Sequence, residues 1–488
     1  MRLPLLLAAG AALALTPGVA HAGQTHTYYL DCGGGDDNAS GTSPRHAWRT
    51  PDRAGRTVLG PGDRLALRAG TLCRGQLSPQ GSGTSARPIT LTRYGTGPRP
   101  KVVGTGGPAA VLLRNTAGWV VSGLDVSNPG QDARARAGIE VRLSDYGVGR
   151  HYVVSDTVVH DVTGCDCVAS GGIVFSAEGT TRPTAFDDVR VTGNQVTAVD
   201  GAGIGTFSTW VKRPSYPSGD APYVPMTRVR LTGNTLRTIR GHGIVVGNGA
   251  SPLIDHNRVD GFSYGTTVAH LGIFAWNSDH PTIERNVVLN GTGMFAAALG
   301  VEAASDDTLI QYNRTGRNQG GFVWVCSDGD NPVRGATIRY NISDDDRNAV
   351  LGTTTIPLIS VCPGSIDSDV TFTGNDVRAP SATVLIAMSG TTVHTFRNNI
   401  FATPGSIDDA YGVYDHNLYS GVAAAHPGDS GAVLGDPRFA GPGDFRLACG
   451  SPALRAGSPS PEASGGDYYG LPVPTPPSIG AYQGPCVP

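Results

Sequence analysis

Ile283-Glu284-Arg285-Asn286 returns as Ile310-Gln311-Tyr312-Asn313 and again as Ile338-Arg339-Tyr340-Asn341. An apolar residue three positions before an asparagine occurs nine times in all, at Asn194, Asn234, Asn257, Asn286, Asn313, Asn341, Asn375, Asn399 and Asn417. The apolar members are Val191, Leu231, Ile254, Ile283, Ile310, Ile338, Phe372, Phe396 and Tyr414. Most spacings are roughly 20 to 30 residues, the length of one solenoid coil. A unit that short cannot bury its own apolar face, so the units must stack. A second signature, Gly172-Ile173, Gly203-Ile204, Gly243-Ile244, Gly272-Ile273 and Gly321-Phe322, adds another apolar column flanked by alternating polar residues. That is strand spacing, and helical spacing is absent. Asparagine suits a fixed bend because it tolerates the left-handed conformation, and its amide can hydrogen-bond along a stack of copies. Asp156 is expected in the same place one coil earlier.

Outside the repeat, Met1-Arg2, an apolar run from Leu3 to Leu15 and Ala20-His21-Ala22 read as a secretory signal peptide over residues 1–22. The run is too short for a membrane span. Residues 23–105 read as an N-terminal β-rich cap, 106–420 as the solenoid, and 421–488 as a Pro/Gly-rich closing segment over the otherwise open strand edge. Eight cysteines fit an oxidising, extracellular compartment. Neighbourhood pairs Cys32 with Cys73, Cys326 with Cys362 and Cys449 with Cys486, leaving Cys165 and Cys167 either bridged locally or paired elsewhere. A net charge of -3 gives no reason to expect a nucleic-acid or membrane partner. A monomer is expected.

Tyr28-Tyr29-Leu30-Asp31, Gly33-Gly34-Gly35-Asp36-Asp37, Gly41-Thr42-Ser43-Pro44, Trp48, and Pro61-Gly62-Asp63 leading to Arg74-Gly75 resemble the opening of secreted right-handed parallel β-helix proteins of the pectate-lyase-like superfamily. Ser451-Pro452-Ala453 and Ser478-Ile479-Gly480-Ala481-Tyr482 resemble their closing segment. Gly272 to Trp276, Ser278-Asp279 and Asn318-Gln319-Gly320-Gly321-Phe322 resemble their coils. The resemblance spans nearly the whole mature chain. It implies an all-β, single-stranded right-handed parallel β-helix (a β-solenoid). It further implies carbohydrate chemistry, since the superfamily holds polysaccharide lyases and glycoside hydrolases alike.

The asparagine column also serves as a ruler for side-chain direction. Glu284 falls in a column whose other members are all polar, an ordinary solvated face. If Ile273 points inward, Phe274 and Trp276 point outward, where aromatic rings can stack on the apolar faces of sugars. A loop packed over Trp276 would account for the same residue. One coil on, Glu302 shares this register within a residue and sits among apolar neighbours, which favours a raised pKa and a general-acid role. The resemblance places an acid at Glu302 and implies two more just upstream, where this chain has Phe295-Ala296 and Gly300. Asp279 and His280 follow the Trp276 strand, and Asp306-Asp307 follow the Glu302 strand. Paired carboxylates about 5 to 10 Å apart perform glycoside hydrolysis. This predicts Glu302, Asp279 and Asp306 as catalytic carboxylates, with Trp276, Phe274 and His280 contacting substrate.

Elimination from a uronic acid would need other parts: a base such as lysine, and a positive group against the carboxylate. Lys212 lies in the longest gap between ladder asparagines, in Trp210-Val211-Lys212-Arg213 with Tyr216 and Tyr223 nearby. An insertion of that composition can overhang a groove, with Lys212 as base and Trp210 against the sugar, or can be a solvated loop around a buried tryptophan. Calcium could be held by Asp328-Gly329-Asp330-Asn331 or by Asp344-Asp345-Asp346, though neither has a full ligand spacing. The sequence thus predicts a secreted polysaccharide-degrading enzyme, hydrolase or lyase. The alternative is a non-catalytic glycan-binding protein on the same scaffold.

Overall fold

A computed structural model describes residues 24–488 apart from 168, 328, 330, 363–366, 389–392, 423 and 462–464. Residues 1–22, read above as a signal peptide, lie outside it. Three long sheets of 15, 14 and 11 strands run the length of the chain, with parallel pairing between successive coils. One coil shows the plan. Ala269–Trp276 lies in the third sheet, Thr282–Glu284 in the first and Val287–Leu289 in the second, before Phe295–Glu302 begins the next coil. Ile283 pairs in register with Ile254 and Ile310, so the apolar columns read from sequence stack like on like. All three are wholly buried. Toward the C-terminal end the same column becomes aromatic: Phe372 stacks on Phe396 at 4.8 Å, and Phe396 on Tyr414 at 4.8 Å.

The asparagines form an unbroken ladder. The N–H and Nδ2–H of Asn257 donate to Asn286 Oδ1 at 2.9 and 3.0 Å, and Asn286 Nδ2–H also donates to the Ile254 carbonyl at 2.9 Å. The same geometry continues through Asn313, Asn341, Asn375 and Asn399 to Asn417. The expected left-handed bend belongs to the residue before each asparagine, among them Gly193, His256, Arg285 and Tyr312, with φ of 64°, 55°, 53° and 57°. Asp156 is one of these bend residues, with φ 49°; it is Thr157 whose N–H donates to Asn194 Oδ1. The ladder position is therefore reserved for a carboxamide by hydrogen bonding, while the bend tolerates several residue types.

The glycine signature has a steric cause. A Cβ on Gly172, Gly203, Gly243 or Gly272 would lie 2.3–2.7 Å from the core side chain Val196, Leu236, Val259 or Val288 respectively. These glycines let the corner of each coil close onto the core. The polar column containing Glu284 is a hydrogen-bonded row: Gln311 Nε2 donates to Glu284 Oε2 at 2.6 Å, and Arg339 Nε to Gln311 Oε1 at 2.9 Å. It is less solvated than its polarity suggests, because the closing segment crosses this face. Tyr312 donates to the Gly466 carbonyl at 3.1 Å and Ser458 to Asp415 at 2.7 Å.

The proposed division at residue 105 is not a boundary in the sheets. Thr27–Leu30, Arg64–Arg68 and Ile89–Tyr94 already belong to the first sheet, and Leu72–Arg74 and Lys101–Val103 to the second. At the other end Asp429 Oδ2 accepts from the N–H and Nδ2–H of Asn417 and from the Tyr419 hydroxyl, closing the ladder. The three long-range disulfides are those expected from neighbourhood, and Cys165 bonds Cys167. Among the described residues, no helix is long and apolar enough to cross a membrane.

A second, shorter ladder explains the acidic turn at 344–346. Asn318 N–H and Nδ2–H donate to Asp346 Oδ1 at 3.0 and 2.8 Å, while Ser343 and Thr315 hydroxyls donate to Oδ2. Asp344 pairs with Arg314 and Arg378, and Asp345 with Arg347. The three carboxylates thus face separate sets of partners. Asp328 and Asp330, the other calcium candidates, lie outside the described residues.

Three substitutions probe the ladder, the polar row beside it and the buried acid. Asn286→Ala removes the acceptor of two Asn257 donors and leaves the Ile254 carbonyl unpaired, so it should cost about 3 kcal/mol or more in urea unfolding. Glu284→Ala, two residues away on the half-buried row, should cost about 1 kcal/mol or less. Burial pushes the Asp346 carboxyl up to about 6, against the donors that favour its charge. Its folded pKa exceeds the unfolded one, so this group stabilises the fold as pH falls from 6 toward 4 and penalises it above 6. Asp346→Asn should therefore raise the unfolding free energy at pH 7.5 by an amount on the order of 2 kcal/mol, read by urea unfolding, and abolish that part of the pH dependence.

Candidate functional site

On the third sheet, Ile244, Ile273, Leu299 and Val323 form an inward column. The next residues, Val245, Phe274, Gly300 and Trp324, align on the outer face, followed by Gly247, Trp276, Glu302 and Cys326. Alternation along each strand therefore carries Phe274, Trp276 and Glu302 outward, as the ruler predicted. There Phe274 and Trp276 join Val245, Leu271, Phe295 and Trp324 in an apolar cluster separate from the core. Val245, Phe274, Trp276 and Trp324 of this cluster line a cleft of about 600 Å³.

Small residues shape the floor. A Cβ on Gly247 would sit 2.5 Å from Trp276 Nε1, so only glycine lets the indole lie across the neighbouring strand. Tyr216, from the insertion after Trp210, meets the same indole at 5.8 Å. Trp276 is thus partly covered by a loop and still lines the cleft; the two readings of this residue describe its two sides. Phe295 packs against Trp324 at 4.8 Å, and a Cβ on Gly300 would meet Leu271 Cδ2 at 2.1 Å. The positions where acids were implied are filled by an aromatic ring and by a backbone with no room for a side chain. Glu302 is half-buried in the cleft wall beside Trp276.

Several expected site residues are placed elsewhere. Asp279 and Asp306 stand on adjacent coils in register, as expected, but both face Arg213 of the insertion. Arg213 pairs with Asp279, lies 3.9 Å from Asp306 Oδ2, donates Nε–H to Asn277 Oδ1 at 2.7 Å and also reaches the Ala304 carbonyl. Tyr223 donates to Asp279 Oδ2 at 2.9 Å and receives the guanidinium on its ring face at 4.5 Å. Burial raises the Asp306 carboxyl, with Arg213 and Arg334 opposing the shift. The pair therefore acts as a clamp on the insertion and does not line the cleft. Trp210 is 1 % exposed and donates to the Glu178 carbonyl at 3.3 Å, so it anchors the insertion and is not available to stack on a ligand. Lys212 is exposed on the insertion and does not line the cleft either. His280 is an exposed neighbour of Asp307 at 3.4 Å, again outside the cleft. Phe274 is 4 % exposed and contributes floor.

The cleft brings in residues that were not anticipated. His242, His270 and Asp166 line one end, and Phe207 and Trp324 add aromatic wall. His270 Nε2 lies 3.0 Å from Asp166 Oδ1 and 2.9 Å from Oδ2, across 104 residues of sequence. Trp324 faces outward because the inward column runs through Val323, one residue later than the Gly321-Phe322 signature places it, so counting from Phe322 would have turned Trp324 inward. Asp166 was out of reach, because nothing local ties its loop to the third sheet. Among the described residues no three His, Cys, Asp or Glu side chains come together as a metal site.

The family model for right-handed beta helix regions matches residues 224–407. No curated protein matches the sequence. Among solved structures, GH136 lacto-N-biosidase from Eubacterium ramulus superposes with a TM-score of 0.64 at 22% identity, covering 81% of this chain and 68% of that one. XylC in complex with xylose superposes with a TM-score of 0.55 at 12% identity, covering 94% of this chain and 98% of that one. At these identities the likeness is one of architecture. With three parallel sheets wound coil on coil around a stacked apolar core and an asparagine ladder, the chain is by fold a right-handed parallel β-helix.

Proposed function

We propose that this protein is a secreted, monomeric carbohydrate-active enzyme, a glycoside hydrolase that takes a neutral glycan into the aromatic cleft and uses Glu302 as general acid. One observation carries this reading: the cleft joins Trp276, Trp324 and Phe274 to Glu302, and no described Arg or Lys lines it. Aromatic faces suit the apolar C–H surfaces of sugar rings. A uronate would instead meet Asp166 and Glu302, two like charges in a partly desolvated wall. The lyase candidates point the same way, since Lys212 stands outside the cleft and Arg213 is committed to Asp279. Four disulfides fit an oxidising compartment. In the reaction, the Glu302 carboxyl proton passes to the glycosidic oxygen as the C1–O bond breaks. Water then adds to C1, and the proton it loses restores the balance.

A second reading rests on Phe295 and Gly300, which occupy the places of implied acids: the cleft binds glycans without cleaving them.

A panel of neutral and acidic polysaccharides, assayed in parallel for new reducing ends and for the ultraviolet absorbance of unsaturated products, separates these outcomes. Reducing ends from a neutral glycan are expected, with kcat falling about 100-fold or more in Glu302→Gln and affinity falling roughly tenfold in Trp276→Ala. Unsaturated products from an acidic glycan would overturn the hydrolase reading. Saturable binding that Trp276→Ala abolishes, without new reducing ends, would establish the binding protein instead.

A further inference from the structure

We infer that Asp166, His270 and His242 form a hydrogen-bonding subsite for the hydroxyls of a neutral sugar ring, at the end of the cleft remote from Glu302. This rests on the glycan reading of the cleft and extends it to residues with no assigned role.

His270 is a fixed post. It is 3 % exposed, and its Nδ1 lies 3.2 Å from Ser263 Oγ and 3.3 Å from Thr266 Oγ1, both buried hydroxyls. Burial holds its imidazole below the usual range, with Asp166 opposing, so the neutral ring donates Nε2–H to the carboxylate. Asp166 stands between Cys165 and Cys167, whose disulfide shortens the loop that carries it, and its side chain remains 26% exposed toward the cleft. A carboxylate has about four lone-pair sites, so His270 leaves acceptor capacity open.

His242 supplies the complementary group. Its Nδ1 accepts the Leu271 N–H at 3.1 Å, which places the ring proton on Nε2. Burial, and then the neighbouring His270, keep the ring neutral. The ring packs 4.7 Å from His270 and 4.7 Å from Phe274, and its Nε2–H has no protein acceptor among the described residues. A fixed acceptor beside a fixed donor is what two adjacent sugar hydroxyls require, one donating and one accepting. The carboxylate also repels an anionic ring.

The subsite binds rather than reacts. His270 precedes Trp276 by six residues on the strand Ala269–Trp276, a separation of about 20 Å in extended chain. Carboxyl pairs that act on one glycosidic bond stand about 5 to 10 Å apart. Between the two ends Phe274, paired with Val245 of the neighbouring strand, gives an apolar floor for intervening rings.

The test uses β-linked xylo-, gluco- and galacto-oligosaccharides of two to six rings with the full-length protein, His242→Phe and Asp166→Asn. His242→Phe preserves the ring packing and leaves the Asp166 loop untouched; Asp166→Asn retains an acceptor for His270 while removing the charge. Wild-type kcat/KM, and affinity by calorimetry, should rise with chain length. Both variants should lose about tenfold on the longest substrates and nothing on the shortest. Equal behaviour of variants and wild type at every length would overturn the subsite while leaving the hydrolase reading intact. Length-dependent binding lost in His242→Phe, with no turnover by wild type, would support the subsite and refute hydrolysis. No affinity for any of these glycans would overturn both. Melting curves of each variant separate loss of a contact from loss of the loop.

Discussion

The structure depends on a carboxamide oxygen that accepts two N–H groups from the coil before it. In the pair Asn257 and Asn286 both bonds are near 3 Å and fully buried, while the asparagine nitrogen also satisfies a carbonyl that the turn would otherwise strand. A buried polar group without a partner costs about 1–3 kcal/mol, so a turn inside the solenoid wall is tolerable only if every such group is paired. No other side chain offers an acceptor and two donors at that length. The stacked columns of isoleucine and phenylalanine depend on this, because the ladder holds successive coils in a single register.

Register in turn dictates the outer face. With Ile244, Ile273 and Leu299 held inward, the following residue of each strand has to face outward. Glycine at 247 and 300 then makes space for Trp276 and Leu271, and the face hollows into an aromatic cleft. The insertion that begins at Trp210 forms one side, held by a guanidinium that engages Asp279, Asn277 and the Ala304 carbonyl together. A surface ion pair contributes little alone. Here the arginine is only 11% exposed and its hydrogen bonds reach two coils, so removing it would strand several groups at once.

Legibility followed the range of the interaction. The fold, the inward and outward alternation, and the outward placement of Phe274, Trp276 and Glu302 were readable because a repeat of known period turns position into direction. Asp279 and Asp306 were correctly placed side by side, yet their partner Arg213 comes from 66 residues away for Asp279 and could not be read. Trp210 shows the same limit: an aromatic residue in a basic insertion has two fates, and burial decides between them. Asp166 and His270 meet across 104 residues through a loop with no repeat, where spacing carries no information. The left-handed bend was assigned one residue late, because the asparagine beside it has the same reputation for that conformation.

The ladder is also directional. From Thr157 to Asn417 each rung donates toward the C-terminal end and accepts from the N-terminal side, so the amide dipoles point one way and polarise one another. Such a row accumulates unmet donors at its last rung, and it ends on a carboxylate, Asp429 Oδ2, which also takes the Tyr419 hydroxyl. A coil could be gained or lost in the middle of the array without disturbing this polarity, since every internal rung is interchangeable. The last rung differs, because its two donors need an acceptor from outside the repeat, here Asp429 Oδ2. The number of internal rungs therefore leaves the ladder's chemistry unchanged, whereas its C-terminal end needs an acceptor that the repeat does not supply.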